Sequence, residues 1–229
     1  MMDLGSTITL SITLSNFYKM KLRLIYPDVP FWRVETSRIA LFYGGIEFED
    51  IRPSREEISK MKIDGTFPFG QFPILQVDGK TLAQTGAIAR FCGKLSGLYP
   101  INDDFAAAKV DEVIDLATDI NNQKRPALRE KDPKLRMELR QELSGAILPP
   151  WLVFLEKLLE DNGDTGYFVG ESFSVADLAI WRLCGWISSG IIDGLSVNLL
   201  DSLPLLKNHQ KIISNLPKVA EWVEKHQKV

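Results

Sequence analysis

The spacing of hydrophobic residues changes character near residue 100, which divides the chain into two parts. In the first part, short apolar runs alternate with amphipathic helical segments. This pattern predicts the order β-α-β-α-β-β-α, with elements at 22–26, 35–43, 46–51, 58–63, 74–77, 80–82 and from 85 onward. Such an order is typical of a small α/β domain of thioredoxin type.

The second part is predicted to be all helical. Residues 97–104 contain turn-forming residues and no periodicity, so they form a linker. Beyond it, apolar residues recur at helical spacing: Ala106, Val110, Val113, Ile114, Ala117 and Ile120. We therefore expect a thioredoxin-like domain at 21–98, an all-helical domain at 104–229, and a poorly ordered leader at 1–20.

Several local signals set helix boundaries in the second part. Asp132-Pro133 is typical of a helix start, and Pro149-Pro150 predicts a kink or break in the helix that follows. Ser174 and Asp177 have the spacing of a capping box, in which each side chain satisfies the backbone of the other residue. We interpret this pair as structural.

Composition narrows the possible functions. The 229 residues are 45% hydrophobic and 25% charged, with a formal net charge of −3, which is ordinary for a soluble protein and argues against nucleic-acid binding as the main task. Cys92 and Cys184 lie far apart, which favours a reducing compartment, and no apolar run is long enough to span a membrane. The leader lacks the basic residues of a targeting signal, so a cytoplasmic location is expected. His209 and His226 form no metal motif, and no metal or cofactor is expected.

The stretch 67–79 contains the most specific chemical signal. Pro73 follows Phe72 at a strand entrance, where a tight turn leaves the backbone of Phe72 free to pair with an extended peptide. Asp78-Gly79 predicts a hairpin, and Thr85 stands at the expected N-cap of the next helix, where a carboxylate binds well. This combination suits a small anionic peptide such as glutathione.

The segments 67–79 and 84–90 resemble the N-terminal domain of the cytosolic glutathione S-transferases, and are closest to the sigma-like members. The resemblance extends from about residue 21 to the C-terminus. It implies the glutathione transferase fold, glutathione as co-substrate, a hydrophobic electrophile as second substrate, and a homodimer.

The resemblance also implies a catalytic tyrosine. Tyr26 ends the first strand, and Arg33 and Glu35 follow it as in the family if one extra residue is allowed. A hydrogen bond from such a tyrosine favours the glutathione thiolate over the thiol. Phe31-Trp32 stands where the family has small, glycine-rich sequence, which leaves open whether activity is impaired.

The remaining glutathione contacts follow from the same resemblance. Its expected binding residues are Arg33, Lys62, Gln71, Phe72, Pro73, Gln84, Thr85 and, from across the dimer, Asp119. Asp111, Asp115 and Asp119 form an acidic stripe, which is expected to be a solvated face at Asp111 and Asp115 and would be stabilised by a compensating partner. A divalent ion there is the less favoured alternative.

The pocket for the electrophile is expected between the two domains. Its expected residues are Val29, Phe31, Trp32, Ile120 and Asn121. Two alternatives to the transferase stay open: a glutathione-dependent isomerase or peroxidase of the sigma class, and a non-catalytic structural or ligand-binding protein. The natural electrophile does not follow from the sequence, because fold does not fix function.

Overall fold

The computed structural model describes residues 20–29 and 31–226, so nearly all of the expected leader lies outside it. Its sheet has four strands in the order β2-β1-β3-β4. The strands are β1 (Leu22–Ile25), β2 (Glu49–Ile51), β3 (Ile74–Val77) and β4 (Lys80–Ala83). β1 is parallel to β2 and antiparallel to β3, and β3 and β4 form the predicted hairpin.

The hairpin turn explains the Asp78-Gly79 signal. Both residues have positive φ, 50° and 81°, as a tight two-residue turn requires. The Asp78 side chain also accepts a hydrogen bond of 2.8 Å from the backbone N–H of Lys21. This contact ties the turn to the start of β1.

Three helices accompany the sheet: α1 (Trp32–Tyr43), α2 (Arg55–Ile63) and α3 (Thr85–Ser96). α1 begins three residues before the predicted start at Glu35, because Trp32 and Val34 are buried in the core and extend the apolar face. The N-cap of α3 is Gln84, with φ of 77°, so the prediction of Thr85 as the cap is wrong by one residue.

The rest of the described chain is helical. Its α-helices are α4 (Asp104–Gln123), α5 (Arg125–Arg129), α6 (Pro133–Glu142), α7 (Leu148–Asp161), α8 (Val175–Ile187), α9 (Pro204–Ser214) and α10 (Pro217–His226). The break expected at Pro149-Pro150 instead precedes the prolines, as a π-helical turn over Leu143–Ile147. Proline has no N–H to donate and crowds the carbonyl four residues back, so the hydrogen-bond ladder widens in the turn before it.

α8 forms the centre of the core and packs against α1, α4 and α9. Its first turn is fixed by the buried carboxylate of Asp177, which accepts hydrogen bonds of 2.8 Å from the N–H and the hydroxyl of Ser174. The same carboxylate accepts from the N–H of Phe168 at 2.9 Å and lies 3.2 Å from the His209 ring. The capping-box prediction is confirmed, and the carboxylate also joins α8 to the preceding loop and to α9.

Glu35 has a similar role between the two parts of the chain. It is buried in α1, where it pairs with Arg38 at 2.9 Å and accepts a hydrogen bond of 2.9 Å from the indole of Trp222 in α10. Arg38 in turn pairs with Asp50 of β2 at 2.8 Å. The last helix is thereby joined to the helix that follows β1. Within residues 20–29 and 31–226, no helix has the length and apolar character needed to cross a bilayer.

Candidate active site

A cleft of about 590 Å³ opens between the sheet and the helical part. The sheet side supplies Tyr26, from the end of β1, together with Arg33 of α1, Lys62 of α2 and the loop 69–72. The helical side supplies Asn121, Arg125, Leu128 and Arg129 from α4 and α5. The cleft thus brings together seven of the expected site residues: Tyr26, Phe31, Arg33, Lys62, Gln71, Phe72 and Asn121.

Tyr26 lies at the inner end of this cleft. Its backbone N–H bonds to Ile51, which extends the β1–β2 pairing, and its ring meets Phe72 edge to face at 5.9 Å. Burial raises the pKa of Tyr26 to about 12, against the smaller opposing effect of the positive charge on Arg33. The phenol therefore keeps its proton at neutral pH and is available as a hydrogen-bond donor. Within the described chain, no residue accepts a hydrogen bond from it.

The loop before β3 presents unpaired backbone to the cleft. The Phe72–Pro73 peptide bond is cis, and the N–H and C=O of Phe72 bond to no residue in the described ranges. The pairing of Ile74 with Ala83 brings Pro73 and Gln84 to the same end of the sheet. An extended peptide that pairs with Phe72 would therefore run toward the start of α3.

Thr85 carries an unsatisfied hydroxyl at that helix start. The side chain is buried, and its oxygen has no hydrogen-bond partner among the described residues. A hydroxyl beside the free N–H groups of a first helical turn is a suitable donor to a carboxylate. Gln84 and Thr85 lie outside the lining of the 590 Å³ cleft. The two sets of expected glutathione contacts are therefore adjacent and do not form one continuous pocket.

The expected electrophile pocket needs correction at three positions. Trp32 and Ile120 are fully buried and face the core, so neither lines the cleft. Val29 is exposed but lies outside the lining. Helical rotation explains the first two, since the neighbours Arg33 and Asn121 point toward the cleft when Trp32 and Ile120 point inward. Phe31 and Asn121 do line the cleft.

Behind Phe31 lies a residue that the sequence did not single out. Lys124 is completely buried, its amine has no hydrogen-bond partner among the described residues, and it sits 3.8 Å from the ring centre of Trp186. The same amine lies 5.3 Å from the Phe31 ring, which packs edge to face on Trp186 at 4.8 Å. Burial lowers the pKa of Lys124 well below its ordinary value, and the charge of Arg33 lowers it further. A lone lysine at the end of a long helix gives no sequence signal for such a position.

The acidic stripe on α4 has a partner in α3. Arg90 binds Asp111 at 2.7 Å and Asp115 at 2.8 Å, and the Tyr99 hydroxyl donates to Asp111 at 2.9 Å. Asp119, one turn further along, is exposed and pairs with none of the described residues. No group of three or more potential ligands in the described ranges is arranged to hold a metal ion.

Comparison with known proteins agrees with this geometry. Residues 23–93 match the family model for the N-terminal domain of glutathione S-transferase, and residues 118–226 match the model for its C-terminal domain. Glutathione S-transferase 1 of Ascaris suum is 34% identical over 203 residues, covering 85% of this chain and 91% of that protein.

Two solved structures show the same architecture. Prostaglandin synthase D of Nilaparvata lugens superposes with a TM-score of 0.79 at 27% identity, covering 91% of this chain and 99% of the other. Na-GST-3 of the hookworm Necator americanus, described as a monomeric glutathione S-transferase, gives 0.77 at 31% identity, covering 91% and 98%.

Proposed function

Because this chain belongs to the glutathione S-transferase family, we propose that it joins reduced glutathione to small electrophiles in the 590 Å³ cleft, with Tyr26 holding the reactive thiolate. The observation that carries the proposal is that the hydroxyl of Tyr26 is available as a hydrogen-bond donor in the cleft. Its phenol is protonated, lines the cleft and has no acceptor within the described chain. A sulfur placed against it would receive the hydrogen bond that the structure leaves unused.

The glutathione backbone would pair with Phe72. Lys62, exposed at the cleft edge, would meet the glycine carboxylate, and the hydroxyl of Thr85 would meet the γ-glutamyl carboxylate with Gln84 beside it. Gln71 and Arg33 flank the peptide from the loop and from α1. The second substrate would lie toward Phe31 and Asn121, between sheet and helices.

The chemistry then follows from charge. A free cysteine thiol has a pKa of about 8.5, so little thiolate exists at neutral pH. A hydrogen bond to the sulfur stabilises the charged form and lowers that pKa, and each unit is worth about 1.4 kcal/mol. The thiolate attacks the electrophilic carbon, the carbon–sulfur bond forms, and the leaving group departs with its electron pair.

Tyr26→Phe is the direct test. The substitution keeps the ring that packs on Phe72 and removes the donor, so turnover of a chlorodinitrobenzene at pH 6.5 should fall about tenfold or more, with little change in glutathione affinity. The pH–rate profile should move to higher pH, toward the titration of free glutathione. Tyr43→Phe, whose ring packs on Phe173 outside the cleft, is the matched control. Full activity of Tyr26→Phe at pH 6.5 would assign the sulfur to another donor.

One comparison favours a second candidate, glutathione-dependent isomerisation, because a structural relative is a prostaglandin synthase. An isomerase would return glutathione unconsumed, whereas conjugation removes one thiol for each turnover. Measuring free thiol during turnover distinguishes the two.

We place the activity in the cytoplasm, as the resemblance implies.

A further inference from the structure

The cleft carries an excess of positive charge. Four of its lining residues are basic: Arg33, Lys62, Arg125 and Arg129. None of the aspartates and glutamates that the structure describes lines it. The whole chain, by contrast, has a formal net charge of −3, so the excess of positive charge is local to the cleft.

These cations have no carboxylate partner among the described residues, unlike five of the protein's other arginines. Five arginines elsewhere form ion pairs with carboxylates: Arg23, Arg38, Arg52, Arg90 and Arg140. Arg33, Arg125 and Arg129 pair with no carboxylate in the described part of the chain. Burial lowers the pKa of Arg33, and the nearby charge of Arg125 lowers it further. The like charges of these two guanidinium groups therefore oppose each other within the cleft.

The arginines of α5 lie on the helical side of the cleft, whereas the expected glutathione contacts that line it belong to the sheet side. Arg125 and Arg129 are four residues apart on one helix, so their side chains share a face, and like charges at that spacing destabilise a helix unless something compensates them. Lys62 and the start of α3 suffice for the two carboxylates of glutathione. The charge on α5 is left for the other substrate, whose apolar body would rest between Phe31 and Leu128.

Resting on the proposed transferase function, we propose that Arg125 and Arg129 form a subsite for a carboxylate on the second substrate, so that this enzyme prefers anionic electrophiles. Guanidinium groups bind carboxylates through two parallel hydrogen bonds, which positions the substrate as well as attracting it. The carboxylate would anchor the molecule at α5 and leave its reactive carbon toward Tyr26.

A matched pair of electrophiles tests the preference. In 4-chloro-3,5-dinitrobenzoate and the corresponding benzamide, the glutathione thiolate forms a bond to the carbon that bears chlorine, chloride leaves with the electron pair, and the thiol proton passes to buffer. Each kcat/KM is divided by the uncatalysed rate constant, which removes the difference in intrinsic reactivity. We expect a normalised preference for the benzoate of about tenfold or more, declining with added salt.

The double variant Arg125→Gln/Arg129→Gln should bring that preference close to one and leave kcat/KM for the benzamide within about twofold. Arg55→Gln/Arg136→Gln removes the same charge outside the cleft and should keep the preference. An equal normalised rate for the two electrophiles in the parent protein, or an unchanged preference in the double variant, overturns the subsite.

Binding of the two finished conjugates gives a readout that does not need turnover. The S-aryl glutathione with a carboxylate should bind about tenfold more tightly than its amide, and the double variant should lose that difference. If neither electrophile is turned over but the carboxylate conjugate is still preferred, the transferase proposal fails and the subsite stands. If turnover occurs without preference in rate or binding, the subsite fails alone.

Discussion

Lys124 brings an amine into the interior of the protein, against the rings of Phe31 and Trp186. Two effects oppose each other there. The aromatic faces favour a positive charge by about 2 kcal/mol when water is absent, whereas complete burial can lower a lysine pKa by several units. Burial is the larger effect, and the neighbouring charge of Arg33 adds to it. The amine behind the cleft wall is therefore disposed toward its neutral form.

This assignment predicts how stability depends on pH. Between the lowered folded-state pKa of Lys124 and the ordinary value near 10.4, the unfolded chain binds a proton that the folded protein does not. The free energy of unfolding of the parent should therefore rise with pH relative to Lys124→Met, by at most about 1.4 kcal/mol per unit. At neutral pH, Lys124→Met should be at least as stable as the parent, because it keeps the stem and removes an unpartnered polar group.

Urea unfolding at several pH values between 7 and 10 measures the effect. Lys211→Met removes an exposed ammonium and serves as the control. If the parent instead loses stability relative to Lys124→Met as the pH rises, the folded protein holds the proton and the aromatic contacts outweigh burial.

The start of α8 depends on one carboxylate more than on the propensities of its residues. Asp177 is fully buried and accepts from two backbone N–H groups and one hydroxyl, with His209 alongside. Truncating it leaves those donors buried without an acceptor. Because α8 packs against α1, α4 and α9, the loss spreads through the core.

We predict that Asp177→Ala lowers the free energy of unfolding by about 3–5 kcal/mol, as for other buried charges that lose their partners. Asp161→Ala removes an exposed carboxylate paired with Lys157 and should change it by less than about 0.5 kcal/mol. Urea midpoints compare the two. If Asp177→Ala fails to accumulate as folded protein, the milder Asp177→Asn supplies the measurement; equal stability of Asp177→Asn and parent would contradict the assignment.

The elements themselves were largely predictable from sequence, because turn residues and caps act locally. Asp78-Gly79, Asp132-Pro133 and Ser174 are all where their signals indicated. The site was less predictable, because it depends on which face of each helix is turned toward the cleft. Trp32 and Arg33 are neighbours, yet only packing against the rest of the chain decides that Arg33 meets the cleft. That Arg125 and Arg129 line the same cleft is likewise visible only in the tertiary structure.

The assembly of the whole molecule is the remaining expectation, a homodimer in which Asp119 of one subunit reaches glutathione in the other. On α4, Asp111 and Asp115 are both held by Arg90, whereas Asp119 is exposed and pairs with none of the described residues. Asp115 also lies close to the start of α3, because its carboxylate would be 3.4 Å from a Cβ at Gly86. The two acids are thus competing candidates for the amino group of glutathione.

We predict a dimeric mass by light scattering at micromolar concentration, unchanged in Asp119→Ala, which should bind glutathione more weakly. Asp115→Ala is the informative comparison, since it removes one of the two carboxylates that hold Arg90 and leaves the other, Asp111, in place. A monomer, as the hookworm relative is described, would remove the cross-subunit role. Weaker binding in Asp115→Ala alone would move the assignment one turn along α4.

The hydrogen bond between Trp222 and Glu35 has a consequence for how the protein folds during its synthesis. It joins residues 187 positions apart in the chain. While α10 is still inside the ribosome, the carboxylate of Glu35 and its partner Arg38 lack the indole donor that completes their contacts. α1, which carries Arg33, therefore acquires its complete set of neighbours only once Trp222 has emerged. The Arg33 side of the cleft is unfinished until α10 leaves the exit tunnel.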